Sequence, residues 1–155
     1  MTTNLQGMIP LESEFYEIIS ENPIDQAFTL ETSEVAERLS NAKEYSDAWE
    51  NEIKNTLEIL KEFLAQEDYL YLQEAYEGWQ QYMNNMMSTE IKLFYIGSEY
   101  KNAVTGNITG DENTYPKVME LKAMRMKEYA IELKALEYSL TGEVKFVYTV
   151  SDIEE

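Results

Sequence analysis

The chain has 155 residues, 44% of them hydrophobic and 12% aromatic, which suits one domain with a single core and is too apolar for a disordered segment. Thirty Asp and Glu against twelve Lys and Arg give a formal charge of −18; such a surface repels phosphate backbones and anionic lipid, which argues against nucleic-acid binding, and it fits either a basic partner or plain hydration. Histidine and cysteine are both absent, so imidazole and thiol chemistry, a disulfide scaffold and the usual soft-metal sites are excluded.

Residues 1–10 are polar, contain Gly7 and Pro10, and are expected to form a flexible leader ahead of a single helical domain over 11–150. No export signal and no uninterrupted apolar run of about 18 residues is visible, so the sequence as it stands has no transmembrane segment and reads as cytoplasmic unless a signal has been trimmed from it. A short helix is predicted from Leu11 to Ser20, with Phe15, Ile18 and Ile19 inward. Asn22-Pro23 reads as an N-cap followed by proline in the first turn, with Asp25 favourably placed, giving a second short helix over 23–28.

Three apolar seams at heptad spacing follow. The first runs Val35, Leu39, Ala42, Ser46, Trp49, Ile53, Thr56, Leu60, Phe63, and predicts a helix from near Thr32 or Ser33 to about Leu64. A break is expected at 66–68, where an acidic pair suits a new first turn. The second seam, Leu72, Tyr76, Trp79, Met83, Met86, Glu90, Leu93, predicts a helix over about 67–96, ended by Gly97. Gly78 inside it suggests a bend or a close helix contact. The third seam, Met119, Lys122, Met126, Tyr129, Leu133, Leu136, Leu140, predicts a helix opened by Pro116 and stopped by Gly142. Beyond it, Val144, Phe146, Tyr148 and Val150 alternate, as in an extended strand that packs across the bundle, pairs with the 98–114 loop, or pairs with another copy.

The segment between the last two long helices is rich in Gly, Asn, Thr and Ser, with turn signals at Thr105-Gly106-Asn107 and Thr109-Gly110-Asp111. A loop of about 18 residues is either a slack connector or a functional one, and Glu99, Tyr100, Asp111 and Glu112 are its candidate partner-binding residues. Asp111, Glu112 and Asn113 lack the ligand pattern of a calcium loop, and without histidine no di-iron or zinc bundle site can be built, so no metal or cofactor is expected. Phosphate-binding glycine loops and nucleophile elbows are absent, and no pair among the many carboxylates is singled out for acid–base work. Polar seam positions point instead to structure: Glu90 is expected to meet Arg125 or Lys122 across the helices as a register pin.

Leu72, Tyr76, Trp79 and Tyr82, followed by a Gly-Ser loop and a helix carrying Arg125 and Leu133, resemble the LprI-like lysozyme-inhibitor domain of bacterial envelope proteins. That family commonly shows Gln-x-x-Trp-x-x-Tyr-Arg on a long helix and an arginine on a later one. Trp79, Tyr82 and Arg125 match the pattern, whereas Tyr76 stands in place of the glutamine and Met83 in place of the arginine. The places of two cysteines in many members are taken here by Met86 and by Val118 or Met119. The resemblance covers about 40–141 and implies a bacterial extracytoplasmic helical domain, secreted or lipid-anchored, which in some members binds lysozyme. Lysozymes are typically basic, which suits the acidic charge.

The chain is accordingly expected to be all-α, an antiparallel bundle of three long helices with short N-terminal helices and an extended C-terminal tail. Its expected function is non-enzymatic: binding of a basic protein such as lysozyme. The alternative is a structural, self-associating module in which the first long helix and the tail form a homo-oligomer.

Overall fold

The computed structural model describes residues 9–28, 34–94 and 114–149. They form five helices: α1 (Glu14–Ser20), α2 (Pro23–Ala27), α3 (Val35–Phe63), α4 (Gln66–Phe94) and α5 (Thr114–Thr141). No strand occurs among the described residues, and the architecture is the expected helical bundle.

Local chemistry sets the boundaries. Ser13 caps α1 by accepting a hydrogen bond from the Phe15 amide at 3.1 Å, so the helix starts three residues later than predicted and leaves Leu11 exposed. Asn22 caps α2 as expected, accepting from the Asp25 amide at 2.7 Å, a contact of a kind that contributes about 1 kcal/mol. The α3 ladder closes where the Leu64 amide donates to the Leu60 carbonyl at 2.9 Å, and α4 starts after Ala65 with Glu67 and Asp68 in its first turn, where carboxylates favour the helix dipole. Gly142, at φ 78°, ends α5 in a left-handed conformation that disfavours any other residue.

Cross-helix pairs fix the directions. Arg38 meets Glu120, and Glu52 meets Lys134, so partners on α3 and α5 advance together and these two helices run parallel. Glu90 meets Arg125 while Tyr76 and Trp79 meet Tyr129, so α4 runs antiparallel to α5. The pairing of α3 with α5 is the most extensive in the molecule. Both helices bury small residues, Ala42 and Ala48 on α3 and Ala123 and Ala130 on α5, which lets helix axes approach closely.

The main core joins Tyr45, Trp49, Ile53, Leu57 and Leu60 of α3, Met83 of α4, and Met126 and Leu133 of α5. A smaller cluster sets Ile9 and Phe15 against Ile131 and Ala135, on another side of α5. The central helix is thus covered on two sides. Ile9 is 5% exposed, so packing begins inside the segment expected to be a flexible leader, and residues 1–8 lie outside the described residues.

Two seam residues differ from expectation: Phe63 is 55% exposed and Leu140 is 45% exposed. A straight helix drifts about 20° per heptad from a strict seven-residue repeat, so the ends of long seams rotate off the contact line. Gly78 is exposed, and a Cβ there would meet nothing within 4 Å, so it marks no close helix contact.

Candidate functional site

The most unusual chemistry of the described residues is a set of ionisable groups inside the bundle. Glu52, Thr56 and Lys134 are each 0% exposed and Glu137 is 1% exposed. The Lys134 ammonium lies 3.1 Å from Glu52 Oε1, donates to Thr56 Oγ1 at 2.8 Å and to the Lys145 carbonyl at 2.9 Å, and sits 4.7 Å from the centre of the Phe146 ring. Those contacts fill its three donor positions and add a cation–π contact.

The carboxylates hold the tail from the other direction. Glu52 accepts from the Val147 amide at 2.9 Å and from the Tyr148 amide at 2.8 Å, and Glu137 Oε2 accepts from the Lys145 amide at 3.1 Å. An extended segment needs a neighbouring strand to satisfy its backbone. Here the bundle supplies charged side chains in that role. Val144, Phe146 and Tyr148 turn inward, with Phe146 against Trp49 and Tyr148 against Phe28. The tail therefore packs across its own bundle, as one of the three sequence alternatives holds.

Burial pushes the Lys134 ammonium below its ordinary value, although Glu52 and Glu137 pull the other way. Burial likewise pushes the Glu137 carboxyl up, opposed by Lys134 and by the Lys145 amide, and its Oε1 is buried without a hydrogen-bond partner. A raised carboxyl favours folding at low pH, and that contribution is lost as pH rises from the ordinary value of 4.5 through the folded-state value. Glu137→Gln keeps the acceptor for Lys145 and removes the titration. It should leave stability at neutral pH unchanged or raise it by up to about 1 kcal/mol, and should flatten the pH dependence above about 4.5. Urea midpoints between pH 4.5 and 7.5 check this; a loss above about 2 kcal/mol at neutral pH would show that the Glu137 anion is needed beside Lys134.

A second hub fastens α2. Asp25 accepts hydrogen bonds from the Tyr45 hydroxyl, from Lys127 Nζ at 2.7 Å and from Asn22 Nδ2 at 3.0 Å. Burial works against its ionisation, but these donors prevail and hold the carboxyl below its ordinary value. Between α4 and α5, Trp79 stacks on Tyr129 with centroids 4.5 Å apart, and Tyr76 stacks on the same ring at 5.7 Å. Burial, then the charge of Glu132, pushes the Tyr129 phenol up to about 12.

Glu90 pairs with Arg125 through both guanidinium branches, with Nη1 at 3.2 Å from Oε1. Both side chains are mostly shielded, so the cross-helix pair expected from the sequence forms, with Arg125 rather than Lys122 as the partner. Trp79 is half-buried in the aromatic stack, whereas Tyr82, expected to be structural, is 57% exposed. Glu99, Tyr100, Asp111 and Glu112 lie outside the described residues, as does nearly all of the 98–114 loop. Among the described residues no group of three or more acids could hold a metal ion, and no helix is long and apolar enough to cross a membrane.

The buried cluster escaped sequence reading because Glu52, Lys134 and Glu137 flank seam positions instead of occupying them. The available signal was the run 130–136, where Ala130, Ile131, Leu133, Ala135 and Leu136 leave little of the helix polar, so Lys134 sits among apolar residues. Comparison with family models, with curated proteins and with solved structures returns no match to this chain.

Proposed function

We propose that the chain is a non-enzymatic bacterial extracytoplasmic binding domain that engages a basic protein, in the manner of the LprI-like lysozyme inhibitors that its Trp79, Tyr82 and Arg125 pattern resembles. The observation that carries this reading is how the cations are used. Arg38, Lys43, Lys54, Arg125, Lys127 and Lys134 each pair with an acid of the same chain. Four of these pairs join different helices. The exposed acids are left in excess: Glu14, Glu17 and Glu21 on or beside α1, and Glu67, Asp68, Glu74 and Glu77 on α4. The first basic residue of the sequence is Arg38. A field of one sign steers an oppositely charged protein into contact and raises its association rate.

The buried ionic groups support a non-enzymatic role, because Lys134 and Glu52 spend their hydrogen bonds on the tail and Thr56. Secretion or lipid anchoring follows from the family likeness. The engagement of the tail within its own chain favours a binding domain over self-association through that tail.

A c-type lysozyme titrated with the full chain across a salt series tests the proposal. Binding is expected at low salt, weakening steeply between about 50 and 300 mM as surface charges are screened, together with inhibition of bacterial cell-wall lysis. No binding at low salt would overturn the reading.

A further inference from the structure

We propose that the end of the bundle formed by the α3–α4 turn and the last turns of α5 is a docking surface for an apolar anchor carried on a basic protein segment. This rests on the reading above that the partner is basic, and it names the surface.

Two clefts adjoin there and share Leu140. One, of about 400 Å3, is lined by Leu60, Leu64, Tyr71, Leu72 and Leu136, with Asp68 as its one charged residue. The other, of about 340 Å3, is lined by Ile59, Phe63 and Thr141, with Glu137, Glu143 and Lys145. Each is large enough to take protein side chains. Three of the exposed large apolar residues of the described chain meet at this place: Phe63 at 55%, Tyr71 at 73% and Leu140 at 45% exposure. Exposed apolar groups gathered around concave surface and rimmed by charge mark interaction sites more often than scattered ones do.

The charge selects the occupant. Asp68 and Glu143, together with exposed Glu62 and Glu67 beside the turn, outnumber Lys61 and Lys145. A second copy seated symmetrically would set these acids against their own counterparts, and anionic lipid would be repelled. A segment with Lys or Arg beside a Leu, Met or aromatic side chain satisfies both features: the apolar group fills the cleft and the cation meets Asp68.

The test uses the full chain and two fluorescent probes, a c-type lysozyme and a synthetic amphipathic peptide of Leu and Lys, titrated at low salt. Tyr71→Ser and Leu140→Gln remove apolar contact, and Asp68→Lys reverses the rim charge. Glu44→Lys makes the same charge change at an exposed position of α3, about 22 Å of helix before Ile59, the first residue in chain order to line either cleft. Each site is exposed, and unchanged thermal midpoints verify folding. Tyr71→Ser and Asp68→Lys should each weaken binding about tenfold, and Glu44→Lys less than about threefold. Equal effects of the two charge reversals with no effect of Tyr71→Ser would overturn the docking surface while leaving the basic-partner reading intact. Absence of binding by either probe would overturn both. A concentration-dependent dimer abolished by Tyr71→Ser would overturn the inference in favour of a second copy.

Discussion

Lys134→Met should destabilise the protein by about 3–5 kcal/mol, the range for removing one partner of a buried ion pair. The methionine matches the stem in length, so little packing is lost. What remains is Glu52, 0% exposed and without its cation, together with the Lys145 carbonyl and the Thr56 hydroxyl without the donor they shared. The penalty is that of an uncompensated buried charge, and it exceeds what the intact pair contributes, since desolvation offsets most of the attraction between Lys134 and Glu52. Adding Glu52→Gln to Lys134→Met should therefore recover part of the loss, because the amide oxygen still accepts from the tail while the orphan charge is gone. Urea unfolding of the two single variants and the double variant gives the coupling directly. A loss below about 1 kcal/mol for Lys134→Met would mean that Glu52 is not held as a buried anion.

This cluster also accounts for the tail. An alternating segment beside an all-helical bundle has apolar side chains to bury but no sheet edge to receive its amides. Glu52 and Glu137 take three of those amides and Lys134 takes one carbonyl, and the aromatic side chains then close over Trp49 and Phe28. Polar recognition of the backbone fixes the path of the tail, and burial of Phe146 and Tyr148 adds apolar stabilisation of roughly 25 cal/mol per Å2 removed from water. Neither part suffices alone: apolar contact without the carboxylates would leave amides unsatisfied, and burying the carboxylates without the tail amides would leave Lys134 as the main group offsetting their desolvation.

Much of this was legible in the sequence. Heptad spacing located the three long helices, because an apolar stripe has to be buried whatever it packs against. Asn22-Pro23 and Gly142 located boundaries, because cap chemistry is local. That Glu90 has a cationic partner across the helices is legible because a lone carboxylate on an apolar face requires one, while the choice of Arg125 over Lys122 comes from the structure. The seam ends differ at Phe63 and Leu140, which the repeat predicts to be buried, since a strict repeat outruns the helix period. The roles of Glu52, Lys134 and Glu137 depend on the tail folding back between helices that are distant in sequence, and no periodicity within one element encodes that contact. At α1 the structure overrides the apolar pattern, which predicts a start at Leu11: the Ser13 hydroxyl caps the helix and begins it at Glu14.

The central claim, that buried side chains replace a neighbouring strand for the tail, is tested most directly by native-state hydrogen exchange at the amides of Lys145, Val147 and Tyr148. These lie in a segment with no helix or strand, where unprotected amides exchange at the rate of an unstructured chain. Bound to buried carboxylates, they should exchange only on opening of the bundle, slowed by at least about a thousandfold and in step with the α3 core amides. Exchange of all three within about tenfold of the unstructured rate, while α3 stays protected, would contradict the account and leave the tail as a loosely attached strap.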